Sequence, residues 1–323
     1  MKWYEGFRIN PLDPLLSAKN PALSYFVSLD LLADAIPPIE SLWELPEPAR
    51  LLKKQNNNGS WTYPGKTSDV ELGTNHDLLQ TFRNLRYLVE KYGFTIQHSS
   101  ICKAAEHILS LQNKEGDIRG ILGNQYMPYY MGAILELLIK AGLHKDARVE
   151  KAMHWLLDMR QEDGGWIIPL QMYKITYLYE VSRDAPILPD RSKPFAHLTT
   201  GMVLRAFAAH PAFCQKVEVR KAGELLKSRF FQQDAYTGHK SKEYWYKFSY
   251  PFWWTDLLSA MDTLSKLGFT KEDKYISRGL NWFIDNQNEQ GLWKAYYESK
   301  VDPEANLWVT LAVCRVFKRF FDG

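Results

Sequence analysis

The chain of 323 residues has little cysteine: Cys102, Cys214 and Cys314 stand far apart. That excludes a disulfide framework and makes a reducing, cytoplasmic setting the expectation. No apolar run approaches the roughly 20 residues that a membrane-spanning helix needs. Residues 1–10 carry Glu5 and Arg8 where a secretory leader has an apolar core. A formal charge of +3 leaves no general nucleic-acid surface to expect. A P-loop, a GxGxxG fingerprint, an HExxH helix and an EF-hand loop are all missing. The eight histidines are spread too widely to argue a metal site, and no cofactor is expected. No alternating strand pattern appears.

What is present is apolar and aromatic: 46% hydrophobic and 14% aromatic residues, enough for a substantial core. The chain is organised around a stretch that recurs. Gln55-Asn56-Asn57-Asn58-Gly59-Ser60-Trp61 returns as Gln287-Asn288-Glu289-Gln290-Gly291-Leu292-Trp293. Two partial copies lie between. Gln112 to Gly116 ends in Ile118 where tryptophan is due, and Arg160 to Gly164 ends in Trp166 with arginine in the glutamine slot. Each copy follows an apolar helical run, and self-similarity at a period of roughly 40–60 residues marks a repeat architecture. The spacing has a physical reason. Glycine takes the left-handed backbone that stops a helix. A tryptophan two positions later folds back on the helix end, where its N–H needs a polar partner.

Helical periodicity fills the rest: 24–36, 46–55, 76–92, 99–112, 128–141, 147–160, 197–209, 217–231, 252–267, 271–286 and 306–320. Two long connections break the rhythm, 167–196 and 236–251. Helices before a motif carry a charged face, and those after it are apolar or rich in small residues. Six inner-type and five outer-type helices predict an all-α protein, an (α/α)6 toroid built from helical hairpins and forming a single domain over 1–323, with 1–23 as an N-terminal extension.

The Q-x-x-x-G-x-W unit between apolar helices resembles the repeat of squalene cyclases and other terpenoid cyclases and of the β-subunits of protein prenyltransferases. The resemblance covers about residues 46–320 and implies the toroid and a hydrophobic ligand, such as a prenyl diphosphate, in its lumen. The catalytic signatures of those families are missing. There is no Asp-x-Asp-Asp motif, the nearest acidic pairs being Asp69/Glu71 and Glu272/Asp273. No cysteine has the aspartate two residues before it that a prenyltransferase zinc site uses, so no catalytic residue is carried over.

Position alone selects the candidates at the mouth where post-motif loops meet the inner helices. Asp256, behind Trp253 and Trp254 on the first turn of an apolar helix, is the candidate acid, with a helix-start carboxylate bonded to Thr255 or to backbone as the competing role. His76 beside Asp77, and His197, are the other acid–base candidates, each with helix capping as the competing role. Trp253, Trp254, Tyr126, Tyr129, Tyr130 and Trp308 would form an aromatic substrate wall or a packed core. Glu136 and Arg205 interrupt inner helices, to touch ligand or to pair with each other. Basic residues in the mouth loops, among them Arg119, Lys174, Arg183, Arg191 and Lys193, would draw an anion. An isoprenoid enzyme or binder is the leading reading, with acid-initiated chemistry as its sharpest form. A carbohydrate-active toroid, lyase or hydrolase, and a non-catalytic repeat scaffold are the alternatives.

Overall fold

The computed structural model describes residues 2–65, 74–172, 185–236, 240–296 and 302–322. Among these the regular structure is helical: α1 Leu12–Leu16, α2 Pro21–Val27, α3 Pro46–Leu52, α4 His76–Tyr92, α5 Ser99–Leu109, α6 Pro128–Leu138, α7 Ala147–Asp158, α8 His197–Ala209, α9 Val217–Ser228, α10 Leu257–Lys266, α11 Lys274–Asp285 and α12 Ala305–Asp322. The all-α class and the helical-hairpin repeat stand as expected. The chain divides into two compact units, one of residues 1–38, 223–234 and 239–323, the other of 39–222 and 235–238.

Helix starts follow capping chemistry. Asn20, Asn75, Asp146 and Asp273 each accept a backbone N–H from the first turn that follows. The two helix kinds differ in burial. Every residue from His197 to Phe207 of α8 is buried, whereas α7 and α11 bury one stripe. In the second unit α6 lies directly on α8: a Cβ on Gly132 would sit 2.6 Å from the Val203 Cα. Glycine here allows backbone-to-backbone approach.

The motif is a three-part clamp. Each full tryptophan donates its indole N–H to a carbonyl ten residues back at the helix end: Trp61 to Leu51 (2.8 Å), Trp166 to Leu156 (2.6 Å) and Trp293 to Phe283 (2.9 Å). Its backbone N–H donates to a threonine on the next inner helix: Thr81, Thr200 and Thr310. The glutamine amide then bridges two carbonyls, one on the motif glycine and one on the next outer element. Gln55 reaches Gly59 (3.0 Å) and Ser100 (2.8 Å), and Gln112 reaches Gly116 (2.8 Å) and Arg148 (2.7 Å). Gly59, at φ +88°, abuts the main chain of Lys103 so closely that any Cβ would strike that carbonyl. For Gln287 the outer element is the N-terminal segment: its amide donates to the Ile9 carbonyl (2.8 Å) and accepts the Ile9 N–H (3.0 Å). Phe7 packs on Trp293 and Phe317 beside it.

Several boundaries differ from expectation. The helix sought over 24–36 is α2 followed by a π turn, 28–32, that Ala33 ends in left-handed backbone. The helix sought over 128–141 passes into another π turn, 139–143, containing Gly142 at φ +108°. The helix sought from 252 starts at Leu257, because Asp256 and Ser259 close a reciprocal capping box there. In the 236–251 connection Trp245 is buried and its indole N–H donates to the Gln232 carbonyl (2.9 Å). A tryptophan thus holds the turn after this outer helix too, without the motif around it.

Candidate functional site

In the second unit the inner helices α6 and α8 bring together Glu136 and Arg205. Arg205 Nε lies 3.0 Å from Glu136 Oε2, and the two side chains are 3% and 6% exposed. The approach is off the N–H axis, so Nε and Nη1 of Arg205 find no hydrogen-bond acceptor. Lys140 Nζ lies 2.7 Å from Glu136 Oε1 and 2.6 Å from Glu90 Oε1, extending the pair into a chain of two cations and two carboxylates. Lys140 and Glu90 escaped the sequence reading because they lie on charged positions that read as solvated faces.

Tyr129 and Tyr130 stand two turns before Glu136 on α6, half-buried, with ring centroids 4.2 Å apart. Burial, with Tyr130 beside it, pushes the Tyr129 phenol well above its ordinary range. Tyr129 packs against a small cluster of Leu122, Ile168 and Leu170, with Met127 and Ile187. All but Tyr129 come from the loops after motif copies two and three. Tyr126 is engaged elsewhere. Its hydroxyl donates to Glu115 (2.5 Å), and its ring lies under the Arg119 guanidinium. Arg119 in turn binds Asp117 (2.7 Å), Asn124 (2.8 Å) and Glu115 (3.1 Å). Burial and the Glu115 carboxylate push the Tyr126 phenol up to about 12. This polar knot occupies the second motif copy, where Ile118 has replaced the capping tryptophan.

His76 opens α4 with its ring 5.0 Å from that of Tyr63, and Asp77 accepts the Tyr63 backbone N–H (2.7 Å). Asp77 is exposed and serves the first motif's loop. His197 is buried at the start of α8, two residues before Thr199, whose buried hydroxyl has no hydrogen-bond partner.

In the first unit Asp256 is 1% exposed and is the N-cap of α10, not a first-turn residue. Its Oδ1 accepts the Ser259 N–H (2.7 Å) while Ser259 Oγ accepts the Asp256 N–H (2.9 Å). Trp253 and Trp254 are half-buried and meet edge to face at 5.9 Å. Trp308 is buried and stacks on Tyr250 at 5.8 Å. The Tyr250 hydroxyl accepts from Arg315 (2.8 Å), which pairs with Asp30 (2.6 Å) and lies over the Phe26 ring. The cation on this aromatic group is therefore the protein's own Arg315. Lys174 and Arg183, expected in the mouth loops, and the acidic pair Asp69/Glu71 lie outside the described residues. Among the described residues no three His, Cys, Asp or Glu side chains gather as a metal site. No described helix is long and apolar enough to cross a membrane.

Residues 76–188 match the squalene-hopene cyclase C-terminal domain family. A probable squalene–hopene cyclase of Sinorhizobium fredii is 27% identical over 143 residues, 44% of this chain and 21% of the relative. The chain therefore spans about a fifth of the length of that relative. Among solved structures, a protein from Actinoplanes aligns over 87% of each chain with a TM-score of 0.46 at 16% identity. The type II terpene cyclase MstE from Scytonema aligns over 86% of this chain and 96% of its own, with a TM-score of 0.30 at 15% identity. The stretch from α4 through α7 and the loop after it is thus similar to the squalene-hopene cyclase C-terminal domain, and the chain contains no Asp-x-Asp-Asp motif.

Proposed function

We propose that this chain is a terpenoid-cyclase-like protein that holds a hydrophobic, prenyl-type ligand among its inner helices, within the toroid such repeats build. The observation that carries the reading is the apolar cluster of Leu122, Met127, Ile168, Leu170 and Ile187 around Tyr129. Connecting loops run over a surface and are ordinarily polar. Here the loops after two motifs are apolar where they meet an inner helix, as a wall facing a hydrocarbon would be. Tyr129 and Tyr130 are the half-buried rings assigned to ligand contact beside this cluster, and Trp253 and Trp254 are assigned to contact a ligand within their own unit. Glu136 and Arg205 are assigned to joining α6 and α8, since each meets the other's charge. Asp256, His76 and His197 are the acid candidates, with Asp77 as a partner to His76.

Native mass spectrometry against prenyl diphosphates, squalene-like hydrocarbons and acidic oligosaccharides tests the proposal. Retention of a prenyl species, weakened in Tyr129→Ala, supports it. Retention of oligosaccharide alone, or of nothing, sinks it. Asp256→Asn keeps an oxygen for the α10 cap and removes the acidic proton. Turnover lost in this variant with α10 intact assigns the acid role to Asp256.

A further inference from the structure

The third motif copy breaks the rule that the other three keep. Gln55, Gln112 and Gln287 bridge from the motif glycine to the next outer element, but Arg160 occupies that slot here and makes no such bridge. The neighbouring Gln161 turns the other way. Its amide donates to the carbonyls of Asp190 (2.7 Å) and Lys193 (2.9 Å), clamping the segment that carries Arg191. The Glu162 N–H donates to the Arg191 carbonyl (3.0 Å), fixing the same segment a third time.

Beside this slot a cleft of about 390 Å³ lies between the end of α7 and the first turns of α9. Arg160, Arg191 and Lys221 line it, along with Asp158 and Glu162. Arg160 Nε donates to the Leu157 carbonyl (3.0 Å) and Arg191 Nη2 to the Asp158 carbonyl (2.5 Å). Both guanidiniums are thus anchored by the negative end of α7, and each keeps further N–H groups uncommitted. Lys221 runs its methylenes past Gly164, where a Cβ would lie 3.1 Å from Lys221 Cδ. None of the three cations closes an ion pair among the described residues, although two carboxylates share the cleft. Three positive charges against two negative leave the lining at +1.

We propose that this cleft is an oxyanion site that takes a phosphate or diphosphate group. Two anchored guanidinium forks match the geometry of phosphate oxygens, and the lysine adds a point charge. The cleft is larger than one phosphate requires, so it accommodates a second phosphate or the start of an organic group. The proposal does not rest on a ligand among the inner helices.

The test is calorimetric titration of the 323-residue chain with inorganic pyrophosphate at low and physiological salt, beside cosedimentation with phosphatidylcholine vesicles containing phosphatidic acid. Arg160→Gln rewrites the slot to the residue the other copies carry, so it preserves the fold. Lys221→Met removes the second cation, and Lys114→Met makes the same charge change at an exposed site elsewhere. Arg160→Gln and Lys221→Met should each weaken binding roughly tenfold, in line with losing a charge-assisted hydrogen bond. Lys114→Met should leave it unchanged, and salt should weaken the wild type. Pyrophosphate binding without vesicle binding assigns a free phosphate compound, and vesicle binding lost in Arg160→Gln assigns a lipid headgroup. A wild-type chain that binds neither probe, or binding that survives Arg160→Gln, overturns the proposal. Retention of a squalene-like hydrocarbon, which carries no phosphate and is weakened by Tyr129→Ala and not by Arg160→Gln, reports on the inner helices alone, so the two readings fail separately.

Discussion

Removing one member of the charge chain that joins α6 and α8 should have unequal consequences depending on which member goes. Glu136→Leu leaves the Arg205 guanidinium almost fully buried without the carboxylate beside it, while Lys140 keeps Glu90 at 2.6 Å. Breaking a buried pair in this way costs about 3–5 kcal/mol. Arg205→Met leaves Glu136 with Lys140 at 2.7 Å and also removes two N–H groups that had no acceptor. Its cost should be no more than about 1 kcal/mol, because orphaned buried donors already carry a desolvation penalty. The double variant should resemble Arg205→Met alone, so the arginine substitution rescues about 2–4 kcal/mol of the glutamate loss. With an unfolding entropy of about 2 cal/mol/K per residue, Glu136→Leu should lower Tm by about 4–7 °C. Circular dichroism melts and urea midpoints on the four proteins measure this. Equal losses in the two single variants, or a double variant equal to their sum, would refute the reasoning.

Gln287→Ala removes two hydrogen bonds to Ile9 and one to Gly291, worth about 3 kcal/mol together, and should raise amide exchange across residues 3–10 before the rest of the chain changes. Gly59→Ala should unfold the first repeat, because φ +88° and the Lys103 carbonyl both oppose a side chain. Gly268→Ala, at φ +73° with nothing within 4 Å, should cost only about 1 kcal/mol in the same melts. Burial holds His210 and His98 below the ordinary histidine range near 6.5. Their neutral forms favour the folded state, so this contribution is complete above about pH 6.5 and is lost as pH falls. His210→Gln should flatten that acid-side loss of urea midpoint; an unchanged slope would count against it.

The inner and outer helix kinds were legible because burial imposes composition: α8 buries every residue from His197 to Phe207 and reads as apolar, while α11 keeps a charged face. The motif was legible as a helix stop, since glycine and a following tryptophan are local requirements. Its glutamine was not legible as a bridge, because the partner carbonyls on Ser100, Arg148 and Ile9 lie 45, 36 and 278 residues away. The bond made by Trp245 was hidden for another reason: it lacks the motif's glycine and reaches a carbonyl 13 residues back instead of ten. Candidate residues fared by the reach of their side chains. Glu136 and Arg205 were marked as charges on apolar helices, and the structure pairs them. Tyr126 was placed by proximity to an inner helix, yet its hydroxyl turns to Glu115 in the neighbouring motif.

The sequence alone determined the helices, their stops and the repeat, because propensity, capping and periodicity act over a few residues. Only the tertiary structure decided which charges neutralise one another and which stay open. Asp256 is committed to a cap, Arg315 to an aromatic group and Arg160 to a cleft, since each outcome depends on carbonyls, rings and carboxylates that folding brings alongside.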